Sequence, residues 1–273
     1  MVKGHFQAFR EVALLLTKHR ELTLAMAERE LSDRYAGQAL GMLWVIGHPL
    51  FLTGLYIFVF SIVFKTRVGG TFEMPLDYTT YVLSGLVAWL AFSEAMSKSC
   101  VAITSNASLV KQVVFPLEIL PVKTVLASLV TMLVSLVVLV VYVLITHGTL
   151  PLTYALLPLV VIMQLLLMVG VAYILSSIGS YFRDVKDFVQ IFATSGVFLL
   201  PITYLPGWVP PVFKPILYLN PLSYLIWCYQ DILYFGRFEH PWAWVVTGTL
   251  SVIVFIFGYR VFKKLKPMLG NIL

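Results

Sequence analysis

Residues 121–146, PVKTVLASLVTMLVSLVVLVVYVLIT, decide the fold class. Apart from Lys123 near its start, this run carries no charge. It exceeds the roughly 20 residues that an α-helix needs to cross a hydrocarbon core about 30 Å thick. Such a run is a membrane span, because a soluble core helix alternates an apolar stripe with a polar face. Comparable runs occupy Leu43 to Phe64, Tyr81 to Ile103, Leu152 to Tyr181, Phe188 to Leu205 and Trp242 to Phe262. The sequence therefore predicts an all-α integral membrane protein with six transmembrane helices.

Composition agrees with that reading. The 273 residues are 60% hydrophobic and 12% charged, against about 25% charged in an ordinary soluble domain. The net charge of +6 does not point to nucleic acid, because the basic residues sit in short gaps between apolar runs rather than along a polar, aromatic-bearing stripe. In those gaps they act as topology signals. Lys3, Arg10, Lys18, Arg20, Arg29 and Arg34 precede the first span. Lys111, Lys123, Arg183 and Lys186 flank the second and fourth gaps, and Arg260, Lys263, Lys264 and Lys266 close the chain. The opposite face holds only Lys65, Arg67, Lys214 and Arg237. Both termini are expected in the cytoplasm. No cleaved signal peptide is expected, since Glu11, Lys18 and Arg20 interrupt the early apolar run.

The chain divides into a cytoplasmic N-terminal segment, residues 1–36, and a transmembrane domain, residues 37–273. In the first, Leu24, Ala27 and Leu31 recur at helical spacing amid charged residues, which predicts an amphipathic helix lying along the inner surface. The second gap, SNASLVKQVVFPLEILPV, is interrupted by Pro116 and Pro121 and reads as a short helix at the cytoplasmic boundary. The long gap from Pro206 to about Pro241 is rich in proline and aromatic residues. It reads as two short re-entrant helices between spans five and six, dipping into the outer leaflet. Cys100 and Cys228 fall near opposite faces, which excludes a disulfide between them.

Catalytic signatures are missing from the sequence. It lacks a phosphate loop, an H-E-x-x-H helix, a nucleophile elbow and a metal-spaced Cys/His cluster. Its five histidines are scattered, and His48 and His240, each beside a proline, read as polar boundary residues. No metal site and no resident cofactor are expected. The strongest intramembrane polar feature is Glu94 with Lys98, one turn apart with the carboxylate first, a spacing that lets them pair. They form either a polar lining or a structural pair. The tryptophans Trp44, Trp89, Trp208, Trp227, Trp242 and Trp244 read mostly as an interfacial belt. Tyr56, Phe60, Phe198 and Tyr204 lie deeper, where their rings either pack against helices or stack on a sugar chain.

Four segments in order carry a resemblance. These are LSDRYAGQALGMLWVIGHPL (Arg34, Tyr35, Leu40, Gly41, Trp44, Pro49), NASLVKQVVFPLEILP (Asn106, Leu109, Lys111, Phe115, Pro116, Pro121), YFRDVKD and NPLSYLI. Together they resemble the membrane subunit of the ABC exporters that move lipid-linked polysaccharides such as O-antigen, capsule and teichoic acid. The resemblance implies a homodimer with two copies of a separate ATPase, which would bind ATP and Mg in place of this chain. It also implies location in the bacterial inner membrane and a lipid-linked polysaccharide substrate of the lipopolysaccharide or capsule type. By the same resemblance, Arg34, Tyr35, Lys111, Phe115, Pro116, Glu118, Arg183 and Asp184 would couple to the ATPase. Tyr56, Phe60, Glu94, Lys98, Phe198, Pro201 and Tyr204 are translocation-path candidates. The alternatives are a drug, haem or small-lipid exporter permease of the same fold, a channel without an energy source, or a membrane glycosyltransferase. The last would need paired carboxylates on a wet loop, and Glu73, Asp77, Asp231 and Glu239 offer no such pair.

Overall fold

A computed structural model describes residues 2–63, 75–112 and 116–272. Among the described residues the chain is entirely helical, without strands. Two helices open it, α1 (Val2–Lys18) and α2 (Arg20–Arg34). Next come α3 (Leu43–Ile57), which continues as a π-helical turn over Phe58–Val63, and α4 (Tyr78–Ser99). The short α5 (Ala107–Gln112) precedes α6 (Ile119–His147), α7 (Leu157–Tyr181) and α8 (Val185–Leu199). Two further short helices, α9 (Lys214–Leu219) and α10 (Pro221–Gln230), lead to α11 (Pro241–Ile272).

Four stretches are long and apolar enough to cross a membrane: Leu43–Val63, Ile119–His147, Leu152–Tyr181 and Pro241–Leu269. The other two predicted spans are helical but differ in kind. Helix α4 carries Tyr78, Thr79, Thr80, Ser84, Ser93, Glu94, Ser97 and Lys98, so its hydropathy is lower. It tolerates Tyr78, Thr79, Thr80 and Ser84 because they are buried within the protein, and most of the helix packs against α6, α7, α8 and α10, while Ser93, Glu94, Ser97 and Lys98 are half-buried. Helix α8 begins at Val185, earlier than expected, and stops at Leu199 rather than running to Leu205. Pro201 explains the stop, since the residue before a proline is pushed out of the helical region and Leu200 adopts φ −103°, ψ 155°.

The caps follow from sequence. Asp77 accepts from the Thr80 amide at the start of α4, and Asn220 accepts from the Leu222 amide with Pro221 in the first turn of α10. Gly148 ends α6 at φ +74°. Pro121 does not break α6, because it falls within the first turn, where its missing amide is tolerated. The expected short helices appear as α5, α9 and α10.

The most extensive contact joins α7 and α11. Gly170 and Gly258 face each other there, and a Cβ on Gly170 would lie 2.6 Å from the Phe255 amide nitrogen and the Val254 carbonyl. Small residues let helix backbones approach in this way.

The N-terminal helices correct the predicted stripe. Leu24 is 62% exposed, whereas Thr23 and Ala27 are buried against α6, with Glu30 and Arg34 on the same face of α2. The face turned to the bundle is therefore mixed, with Ala27 and the half-buried Met26 and Leu31 beside Glu30 and Arg34, which are held by charge pairs. The stronger amphipathic helix is α1, whose Phe9, Val12 and Leu16 join Phe255, Tyr259 and Phe262 of α11 in a second core cluster. Two members of the expected tryptophan belt are also core residues: Trp89 and Trp227 are almost completely buried. Cys100 and Cys228 are buried free thiols.

Candidate functional site

The predicted site residues fall into three places. The first is a cavity of about 380 Å³ between the end of α2, the start of α3 and the C-terminal half of α4, lined by Arg34, Tyr35, His48, Glu94 and Lys98 with Pro49, Leu52, Leu90 and Thr131. It unites residues that the sequence reading placed in two separate groups. Glu94 does not pair with Lys98. Its Oε1 accepts from Arg34 Nη1, and its Oε2 accepts from Thr131 Oγ1 at 2.7 Å. The guanidinium wins because it arrives from α2 at the buried side of α4, where a fixed planar donor suits a carboxylate. Arg34 is only 13% exposed, so it anchors α2 to α4 rather than presenting a free docking charge.

The second place is the end of the bundle where α1, the start of α6 and the end of α11 meet. Glu118 is buried and accepts from Lys266 Nζ at 2.6 Å, tying the start of α6 to the end of α11. Lys123 donates to Asn106 Oδ1 at 3.2 Å and pairs with Glu30 at 3.0 Å. Glu11 accepts from Lys263 at 2.7 Å and from the Tyr259 hydroxyl at 3.0 Å, and the Lys263 hydrogen bond holds its carboxyl below the ordinary value. Among the predicted coupling residues, Lys111, Arg183 and Asp184 are exposed, while Tyr35 and Pro116 are half-buried. Phe115 lies outside the described residues. Arg183 and Lys186 also border a cavity of about 550 Å³ beside Cys100 and Thr104.

The third is the opposite end. Tyr56 stacks on Phe60 at 6.3 Å, Phe60 meets Tyr78 edge-on at 5.8 Å, and Tyr78 contacts Tyr81 and Trp208. Phe198 is 72% exposed on α8, and Tyr204 is half-buried. Pro201 is buried instead of lining a surface, with its carbonyl accepting from Tyr81 Oη at 3.2 Å and Gln230 Nε2 at 2.7 Å. Two carboxylate clusters at this end escaped the sequence reading. Asp231 is buried and accepts from His240 Nδ1 and Trp244 Nε1, each at 2.9 Å. Asp77 accepts from Thr80 Oγ1 at 2.6 Å, His147 Nε2 at 2.8 Å and Tyr142 Oη at 2.9 Å.

Burial pushes the Asp77 carboxyl upward, but the hydrogen bonds from Thr80, His147 and Tyr142 outweigh it and leave the value lowered. A lowered folded value means that the stabilisation is complete above the unfolded carboxylate range, about pH 4, and is lost as pH falls through the folded value. Asp77→Asn keeps a capping side chain and removes the charge. The variant is expected to show a flatter loss of stability below about pH 4, measured as melting temperature against pH. An acid limb identical to wild type would refute this role for Asp77.

Residues 21–234 match the ABC-2 type transporter family. The chain belongs to that family. Among ABC-2 relatives, an O-antigen export system permease protein of Klebsiella pneumoniae is 27% identical over 93% of this chain and 95% of its own length. A second from the same species is 26% identical with the same coverage. One from Myxococcus xanthus is 27% identical over 91% of this chain and 94% of its own length. The matched stretch spans the helices packed around the buried α4 and the exposed charged residues on the α7–α8 turn.

Proposed function

We propose that this ABC-2 protein is the membrane subunit of an exporter that moves a lipid-linked polysaccharide of the O-antigen type across the bacterial inner membrane. ATP hydrolysis in a separate ATPase subunit drives it. The observation that carries this reading is the near full-length similarity to O-antigen export permeases from two bacterial genera. Two copies of the chain pair in the membrane with two ATPases, and both termini lie in the cytoplasm. Six helices cross: α3, α4, α6, α7, α8 and α11. Residues 1–36 rest on the inner surface, and α9 and α10 re-enter the outer leaflet.

Several features support the arrangement. Helix α4 contacts both α3 and α8. Leu50, Phe51, Leu55 and Phe58 on α3 and Phe188, Ile191 and Phe198 on α8 are apolar and exposed in the single chain. These faces suit a second copy, lipid or a passage between the copies. The exposed Arg183 and Asp184 sit on the short turn between α7 and α8, where a push from an ATPase passes directly into two helices. Positioning and conformational coupling are all that this chain supplies, and the energy enters through its partner.

Charge reversal tests the coupling. Arg183→Glu, and separately Asp184→Lys, are expected to reduce glycan export at least tenfold while the subunit still reaches the membrane, because single rim charges at an interface govern partner choice and register. Export and ATPase co-purification at wild-type levels in both variants would refute the coupling role.

A further inference from the structure

The cavity at the inner half of α4 gathers more positive charge than the chain neutralises. Arg34, His48 and Lys98 line it together with one carboxylate, Glu94, and that carboxylate is already engaged by Arg34 and Thr131. The side chains of His48 and Lys98 have no hydrogen-bond or ion-pair partner among the described residues. On Arg34, Nε and Nη2 are buried without a partner. A guanidinium offers five N–H donors, and leaving buried donors unpaired is unfavourable. A group with several acceptor oxygens and negative charge completes such a set, and phosphate matches both the fork of Arg and the point charge of Lys.

Apolar side chains complete the lining along with Tyr35 and Thr131. Leu52 follows His48 by one turn of α3, with Pro49 beside it, and Leu90 precedes Glu94 by one turn of α4, so the cavity joins anion-binding groups to a hydrocarbon-compatible stretch. A free phosphate would use only the first of these. An amphiphile uses both.

We propose that this cavity binds the phosphate headgroup of a lipid. Arg34, Lys98 and His48 donate to its oxygens, and Pro49, Leu52 and Leu90 contact the start of its chain. The lipid is either the carrier of the exported glycan, an identification that rests on the exporter reading, or a phospholipid of the surrounding membrane. Glu94 has a positioning role here, holding the guanidinium at the cavity edge through Nη1.

The test is a binding titration on the purified full-length chain in neutral detergent. The probes are farnesyl diphosphate, dioctanoyl phosphatidylglycerol and inorganic pyrophosphate. Lys98→Gln is the primary variant, because Arg34 also anchors α2. At least one lipid probe is expected to bind roughly tenfold more weakly to Lys98→Gln, as loss of a charged hydrogen bond implies. The loss is smaller in His48→Gln and recovered in Lys98→Arg, with ligand-free melting temperatures unchanged. Dependence on Lys98 for farnesyl diphosphate alone assigns the site to an isoprenoid diphosphate carrier, and dependence for phosphatidylglycerol assigns it to membrane phospholipid. Binding of pyrophosphate without either lipid overturns the proposal. So does lipid binding that is indifferent to Lys98→Gln. These outcomes are independent of export: a strain lacking the chain that loses its surface glycan, alongside Lys98-independent binding, removes this site and leaves the exporter reading standing.

Discussion

Gly258→Leu is expected to leave the protein unable to hold its α7–α11 pair together. Any Cβ at position 258 overlaps the Gly170 carbonyl group, which is backbone and has no rotamer to move. The whole helix must shift, and with it the stacking of Phe255 on Phe9 and the ring contacts of Tyr259 and Phe262 with Tyr173. Overpacking a core costs about 1–3 kcal/mol and occasionally more. Here the obstacle is main chain, so the expected loss is about 3 kcal/mol or greater. Gly170→Ala is expected to do the same more mildly, because its Cβ would meet Val254 and Phe255 backbone atoms at 2.6 Å. The control is Gly207→Ala, where nothing lies within 4 Å and a change of no more than about 0.5 kcal/mol is expected. Thermal unfolding in detergent measures all three. Equal melting temperatures for Gly258→Leu and wild type would show that α7 and α11 do not pack as described.

The second large effect concerns the anchor between α2 and α4. Arg34→Met leaves the half-buried Glu94 carboxylate, 20% exposed, with only the Thr131 hydroxyl; removing one partner of a fully buried pair costs about 3–5 kcal/mol, which bounds the loss here from above. The double variant Arg34→Met/Glu94→Gln removes both charges and is expected to recover most of that loss, since a neutral replacement of a buried pair is often close to neutral. The measurement is a double-mutant cycle on melting temperature. A strong positive coupling is the expected result. Losses that simply add would mean that the two side chains do not act as a pair.

These two contacts also mark where sequence reading ended. Apolar run length located α3, α6, α7 and α11, because the need to satisfy backbone groups inside lipid leaves few alternatives. Helix α4 was visible too, although its Glu94 and Lys98 appeared to be each other's partners at helical spacing. The competing partner, Arg34, lies sixty residues earlier, and no local pattern encodes a bond of that range. The same limit hid the Asp77 cluster, whose His147 is seventy residues away. On α2, Leu24, Ala27 and Leu31 drew the predicted apolar face, and of these Ala27 is buried, Leu31 half-buried and Leu24 exposed. Charge pairing across elements rotated that face, because Lys123 and Glu94 draw Glu30 and Arg34 inward. The predicted span runs through Pro201 to Leu205, whereas the restriction a proline puts on the residue before it ends α8 at Leu199.

The cavity at Arg34 arises from the same long-range folding. Arg34 and Tyr35 came from one stretch, His48 from the next helix, and Glu94 with Lys98 from the core helix. Each was visible as a polar residue near the inner boundary. Their convergence needed the packing of α2 and α3 against α4 and α6.

The central claim is that this ABC-2 protein carries a lipid-linked polysaccharide outward at the expense of a partner's ATP. The most direct measurement is the surface glycan of a strain lacking the chain, read with a non-permeant label and compared with the pool of lipid-linked polymer inside. The account predicts loss of the surface polymer, accumulation of the lipid-linked form on the cytoplasmic side, and reversal of both when the intact gene is restored. Surface polymer at the wild-type level without the chain would contradict it.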